Sequence, residues 1–259
     1  KEDDKVMSKI SGENLVSRIS LLLNAFLKGE PKLTLVQLSN LTNLHPATVY
    51  RIAETLVKEG ILGKDADTKM YYLGLRMIQM GEYAKSNYTL NVVSEKPVKK
   101  LAALWQERVV VDILDDDFRL LTVQYCNVVY PTVEVASYKV EVLPHCTSTG
   151  KILLAHTSEE QLQYYLSSKL VPRTERTIAS ADALLEELEH IRKQGYATSI
   201  EEFEKGYQSV GAPIKDTMGQ VIAATSIRWP IFRNYNDLLP DIIESVKETA
   251  NSISAELRC

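Results

Sequence analysis

Between Thr34 and Leu73 the chain spells a helix, a three-residue turn, a second helix and a two-stranded hairpin, and few folds satisfy that order. Thr34 suits an N-cap, and Leu35, Leu38 and Leu41 recur at helical spacing through Thr42. Asn43-Leu44-His45 makes the turn, and Pro46 opens the next helix where a missing N–H costs nothing. Val49, Ile52, Ala53 and Leu56 then fall at i, i+3, i+4 and i+7, a single apolar stripe that must be buried. The opposite face carries Ala47, Thr48, Tyr50, Arg51 and Thr55, small, hydroxylated or cationic groups suited to base edges and phosphates. Gly60 stops the helix, and Ile61–Lys64 and Met70–Leu73 read as strands around the polar tip Asp65–Lys69. This is the pattern of a winged helix-turn-helix. A helical hairpin alone is commonly nothing more than core packing. The trailing wing, with Lys64 and Lys69, shifts the balance toward double-stranded DNA as partner.

Charge does not advertise that partner. The 259 residues carry a net charge of −4, and from Glu30 to Arg76 six Lys and Arg face five Asp and Glu. Phosphate attraction must therefore come from the placement of charges and from helix N-termini. A weakly basic face predicts modest affinity per protomer and favours a symmetric oligomer. Three widely spaced cysteines (Cys126, Cys146, Cys259) argue against a disulfide framework and a zinc cluster, and for a cytoplasmic location. No apolar run reaches the roughly 18 residues of a membrane span, so no membrane role is expected. Residues 1–13 read as a charged, frayed segment without a signal peptide, in which Met7 could be a natural start.

The chain divides on paper into a DNA-binding domain over 14–74, a linker helix over 75–90 and a larger domain over 91–259. Within the first, Ile19, Leu22, Leu23 and Phe26 face inward from a helix over Leu15–Leu27. The linker helix shows Leu75, Ile78 and Met80 among polar residues, an apolar side suited to a dimer contact. Asn91–Gln106 is amphipathic, with Pro97 expected to interrupt its early part. β-branched runs at Val109–Leu114, Leu120–Gln124 and Thr132–Ser137 predict strands, and Asp115–Asp117 reads as an acidic hairpin tip rather than a metal site. Helices are expected over Gly150–Thr157, Glu159–Ser167 and Asp182–Gln194, the last capped by Gly195, and over Leu238–Leu257. Strands recur at Tyr196–Ile200, Gln208–Ile214 and Val221–Ile227, several joined by hairpin-length gaps. The expectation is an α+β domain: an antiparallel sheet flanked by helices.

Several fragments, in this order and at these spacings, resemble one family. They are Thr48-Val-Tyr-Arg-Ile52, Leu56-Val-Lys-Glu-Gly60, Tyr72-Leu-Gly74, Cys146-Thr-Ser-Thr-Gly-Lys-Ile-Leu-Leu-Ala155, Gly195-Tyr-Ala197 with Glu201-Glu202, and Gly211-Ala-Pro-Ile214 before Gly219-Gln-Val-Ile-Ala-Ala224. From about Leu15 onward the chain resembles the IclR-type bacterial transcriptional regulators. That resemblance implies a winged helix-turn-helix, a linker helix and a GAF-like effector domain, with a homodimer or tetramer binding a palindromic operator. It further implies DNA binding modulated by a small organic acid or aromatic compound, with repression of a catabolic or metabolic operon as the expected mode.

Carried over position by position, the resemblance implies effector contacts at Ser148, Thr149, Ser199, Ser209, Ser226 and Arg228. Ser148 and Thr149 open a helix whose N–H groups suit a carboxylate. Ser199 stands where some relatives place an acid, and Arg228 where some place a smaller hydroxyl residue. Ser226 and Arg228 alternate along a strand and so share a face, and an inward arginine suits a carboxylate. Tyr125, Tyr130 and Trp229 are candidates for an aromatic wall.

Enzymatic readings find little. Ser148-Thr-Gly-Lys151 matches the S-x-x-K spacing, but no Ser-Asp-Asn or Lys-Thr-Gly motif follows. Thr149-Gly-Lys151 lacks the upstream glycine of a phosphate loop, since that place holds His145. His145-Cys146 has no companion among His45, His156 and His190 at metal-binding spacing, so no metal or cofactor is expected. The rival functions are a metabolic enzyme using the larger domain, or a protein-interaction adaptor whose winged helix does not touch DNA.

Overall fold

The computed structural model describes residues 14–28, 30–128 and 142–257. The expected strand Thr132–Ser137, Tyr130, Cys259 and the 1–13 segment lie outside the described residues. The chain forms two compact units, with the change between them at Ala84/Lys85.

The first unit begins with α1 (Leu15–Ala25), capped by the Asn14 side chain and prolonged by a 3-10 turn at Phe26–Lys28. α2 (Leu35–Thr42) starts at a capping box in which Thr34 and Gln37 satisfy each other's end groups. The turn is made by Asn43 in the left-handed region, φ 53°, a conformation asparagine tolerates better than most residues. α3 (Pro46–Lys58) follows, with His45 as cap and Pro46 at its first position. Val49, Ile52, Ala53 and Leu56 are buried against Leu22, Phe26, Leu38 and Leu44, each large side chain contributing about 1.5–3 kcal/mol relative to exposure. Gly60 at φ +71° ends the turn after α3. β1 (Leu62–Lys64) and β2 (Tyr71–Leu73) pair antiparallel, and Leu33 bridges to Tyr71 at the other edge of β2. α4 (Leu75–Ser86) has no buried residue, and Leu75, Ile78, Met80 and Tyr83 are all exposed.

The second unit opens with α5 (Thr89–Trp105), which runs without interruption through Pro97. The expected break does not occur. A proline inside a helix costs about 3 kcal/mol, and here its ring is buried beside Val98, Leu101 and Ala102, so tertiary packing offsets the local penalty. β3 (Arg108–Leu114) and β4 (Leu120–Cys126) form a hairpin, and Asp115 Oδ1 accepts from the amides of Asp117 and Arg119 at its tip. After a 3-10 turn at Pro144–Cys146 come α6 (Ser148–His156), α7 (Glu159–Ser167) and α8 (Ala181–Gln194), the last closed by Gly195 at φ 76°. β5 (Ala197–Ile200), β6 (Tyr207–Lys215), β7 (Val221–Pro230) and α9 (Leu239–Glu256) complete the unit.

The five strands form one sheet in the order β4-β3-β7-β6-β5, and every neighbouring pair is antiparallel. One face buries Val109, Val111, Val210, Ala212, Ile227 and Trp229 against α5 and α9. The other buries Ala197 and Ala224 against α6, α7 and α8. This is the α+β arrangement that the alternation of strands and helices predicts.

Candidate functional site

The cleft of the second unit lies on the α6 side of the sheet, where strand residues and the first turn of α6 leave a cavity of about 130 Å³. Its position follows from strand parity. Arg108, Val110 and Asp112 on β3, and Ser226 and Arg228 on β7, point to this face, while Val109, Val111, Ile227 and Trp229 point into the core behind it. Arg108 and Arg228 are register partners on adjacent strands. Ser148, Thr149, Ser199, Ser209, Ser226 and Arg228, which come from four separate elements, all line this one cleft.

α6 can approach because residue 150 is glycine. A Cβ there would lie 2.3 Å from the Pro144 carbonyl oxygen, so any side chain would force the 3-10 turn and the helix apart. Thr147 caps α6 by accepting from the Gly150 amide at 3.0 Å. Ser148 Oγ meets Ser209 Oγ at 2.8 Å, and Ser199 donates to the Cys146 carbonyl at 2.9 Å. Thr149 donates to Asp112 Oδ2 at 2.7 Å, and Thr122 donates to Asp112 Oδ1 at 2.6 Å. A β-bulge makes the second contact possible. Val111 pairs with Gln124 but Asp112 pairs with Thr122, so Val123 is passed over and Thr122 is brought opposite the carboxylate.

Asp112 was not among the expected contacts. Burial pushes its carboxyl above the ordinary value, only partly opposed by the two threonine hydroxyls and by the Arg108 charge. An acid inside the apolar run Val109–Ile113 is the signal that could have found it. At the other end of the cleft Arg228 is hydrogen-bonded to Glu204 and stacked over the Tyr207 ring at 4.2 Å, while the Arg108 guanidinium lies 5.1 Å from the Tyr125 ring centroid. Glu204, Phe203, Tyr207 and Gln208, from the β5–β6 connection and the start of β6, also line it and were not anticipated. The aromatic wall takes a different form. Trp229 is buried in the opposite core at 1 % exposure, Tyr125 is not among the lining residues, and Tyr207 is the ring beneath the arginine.

Lys151, of the S-x-x-K spacing, points away from Ser148 into a buried ion cluster with Glu187 at 2.8 Å and Glu202 at 2.9 Å. His145 contacts the Tyr165 hydroxyl and the Val171 carbonyl, and burial pushes the Cys146 thiol up to about 11. Among the described residues no His, Cys, Asp and Glu cluster has metal-binding geometry. No helix of the described residues is long and apolar enough to cross a membrane.

In the first unit α3 presents Ala47, Tyr50, Arg51 and Thr55 to solvent, with Thr48 half-buried. The Thr55 hydroxyl donates back to the Arg51 carbonyl at 2.8 Å. Lys69 stands exposed at the wing tip. Lys64 is engaged within the unit: Glu54 takes its ammonium, and the Tyr71 and Tyr50 rings lie 5.0 and 5.6 Å from it. The Glu54 carboxylate holds the Lys64 ammonium well above the usual range.

Two family models match the chain: the IclR helix-turn-helix domain over residues 15–66, and the bacterial transcriptional regulator IclR C-terminal domain over residues 83–255. Among curated proteins the chain is similar to the HTH-type transcriptional regulator KdgR of Escherichia coli, 28% identical over 237 residues that cover 88% of this chain and 87% of that protein. Among solved structures it is similar to IclR of Thermotoga maritima, at 25% identity and TM-score 0.65, covering 93% of this chain and 98% of that one. It also shares its fold with an IclR homolog from Microbacterium hydrocarbonoxydans complexed with 4-hydroxybenzoate, at 22% identity and TM-score 0.75, covering 94% and 99% of the two chains. The matched regulators are transcription factors, not enzymes.

Proposed function

The chain belongs to the IclR family of bacterial transcriptional regulators, which makes it a DNA-binding regulator, and on that premise we propose that it represses a metabolic or catabolic operon until a small organic acid fills the cleft beside α6. The observation that carries this reading is the convergence of Ser148, Thr149, Ser199, Ser209, Ser226 and Arg228 on one cavity that also holds a second arginine, Arg108. A cationic end, hydroxyl groups and the amides of the first turn of α6 suit an anion of a few carbon atoms.

On the DNA side, α3 enters the major groove with Ala47, Thr48, Tyr50, Arg51 and Thr55 toward the bases and phosphates, and Lys69 at the wing tip meets the backbone. Lys64, held by Glu54, contributes mainly by fixing the wing against α3. The exposed apolar residues of α4 form the contact of a homodimer, which two-fold operators require and which a tetramer could repeat. Effector binding then changes the relative placement of two recognition helices. It acts through a coupling free energy of about 1–3 kcal/mol, equal to the difference in its affinity for the two forms.

The test is a mobility shift of the full chain on DNA upstream of its own and neighbouring genes, with competitor DNA at moderate salt. A specific shift that small carboxylates release supports the reading. No specific shift with any upstream fragment, with or without those acids, overturns it.

A further inference from the structure

The cleft has two chemically different ends, and they lie on one strand. Along β3 the same face presents Arg108, then Val110, then Asp112. Four residues at roughly 3.3 Å each separate the arginine from the acid by about 13 Å between Cα atoms. Arg228 reinforces the cationic end as the register partner of Arg108. Thr122 and Thr149 reinforce the acidic end by donating to both oxygens of Asp112. Between the ends Val110 supplies the apolar lining on β3, with Ser226 as its register partner on β7.

Each end states what it lacks. At the cationic end Arg228 already holds a carboxylate, that of Glu204, above the Tyr207 ring. Glu204 is 55% exposed and sits in the β5–β6 connection, so it can turn to solvent, and an ion pair with so exposed a partner contributes little that a ligand would have to replace. At the acidic end Asp112 accepts one hydrogen bond on each oxygen, yet a carboxylate offers about four acceptor sites. Two sites on a buried acid thus remain for donors, and a second anion placed there would be repelled.

Resting on the effector reading of this cleft, we propose that its ligand is a carboxylate bearing a hydroxyl at its far end. Its carboxylate takes the place of Glu204 on Arg228, its carbon skeleton lies along Val110, and its hydroxyl donates to Asp112. Glu204 is then a built-in competitor for the ligand, and Asp112 the residue that selects the distal hydroxyl. Ring and chain skeletons share this chemistry, so the probes come in pairs that differ by one oxygen.

The experiment is isothermal titration of the full chain with 4-hydroxybenzoate against benzoate, and with 6-hydroxyhexanoate against hexanoate. In at least one pair the hydroxylated member should bind tighter by roughly tenfold or more, as expected for a hydrogen bond to a charged group. Asp112→Asn should bring that ratio toward one, and Glu204→Gln should tighten both members of the pair by a similar factor. The wild-type ratios need no variant, so a poorly folded Asp112→Asn leaves the test standing. Equal affinities within each pair overturn the proposal while keeping the cleft as an anion site. Absence of binding by all four probes, to wild type and to Glu204→Gln alike, overturns the proposal and the effector reading together.

Discussion

The hydroxyls of Ser148 and Ser209 meet at 2.8 Å, joining the first residue of α6 to the pocket face of β6 across 61 positions of sequence. Gly211, next on that face of β6, eases the approach: a Cβ there would lie 3.3 Å from Ser148 Oγ and 3.1 Å from the Ile152 side chain, tight enough that these neighbours would have to give by a few tenths of an ångström. Ser209→Ala removes the partner of a buried hydroxyl, and we expect a loss of about 1 kcal/mol in the unfolding of the second unit, read by urea titration. An unchanged midpoint would show that the pair does not brace α6.

Arg51 is exposed on α3, and its replacement tests the recognition helix directly. Arg51→Ala should weaken operator binding by about 1–3 kcal/mol. Fluorescence anisotropy across a salt series reads this. Unchanged operator affinity at every salt concentration would mean that α3 does not enter the groove.

The two wing lysines should behave differently, although they looked equivalent as sequence. Lys69 is exposed at the tip, whereas Lys64 is already paired with Glu54. Lys69→Ala should reduce the slope of log affinity against log salt by about one. Lys64→Ala should change that slope less and instead lower the melting temperature of the first unit. The reverse ranking of slopes would refute the assignment of Lys64 to the wing's own packing.

Lys151 is 1 % exposed and held between two acids. Lys151→Met leaves Glu202 buried without its cation, and breaking such a pair from one side costs about 3–5 kcal/mol. Adding Glu202→Gln should recover part of the loss, because the remaining group is then neutral. If the single variant unfolds at the wild-type urea midpoint, the cluster does not hold α6 to the β5–β6 connection.

His145 and His156 are buried, and burial holds both imidazoles below their ordinary pKa, with the nearby Arg173 and Arg192 charges adding to it. His145 is bounded by Tyr165 and the Val171 carbonyl, and His156 by the Ile152 carbonyl. As pH falls through about 6.5 the unfolded chain takes up protons that the folded chain refuses, so stability rises with pH in this range and is lost on acidification. Asp112 and Glu202 have the opposite sign: burial raises their pKa, so protonating them favours the folded chain at lower pH. The melting temperature of the second unit should therefore fall as pH is lowered from about 7.5 to 6, through the ordinary histidine range. His145→Gln should flatten the first part of that curve. A melting temperature constant from about pH 7.5 to 6 would contradict this account.

The first unit was almost entirely legible as sequence, because its signals are local. Thr34, Asn43, Pro46 and Gly60 each fix one boundary by backbone chemistry, and the stripe of α3 needs only its own periodicity. The second unit was legible as alternating elements, but its pocket depends on long-range pairing. Ser226 and Arg228 could be placed on one face by counting, whereas Asp112 could not be given a role without the bulge that sets Thr122 opposite it. Trp229 was misplaced for the same kind of reason: it is one residue from Arg228, and one residue is enough to cross the sheet. Pro97 misled because its local penalty is visible in sequence and the packing that offsets it is not.

The alternation along β3 and β7 has a consequence for how such a chain can diverge. On both strands the even positions 108, 110, 112, 226 and 228 line the cleft, and the odd positions 109, 111, 227 and 229 fill the core against α5 and α9. A single-codon change at an even position acts first on the chemistry that is sensed, and a change at an odd position acts first on the packing against α5 and α9. Ligand preference and fold integrity are thus written into separate, interleaved registers of the same strands, so one can drift while the other is held.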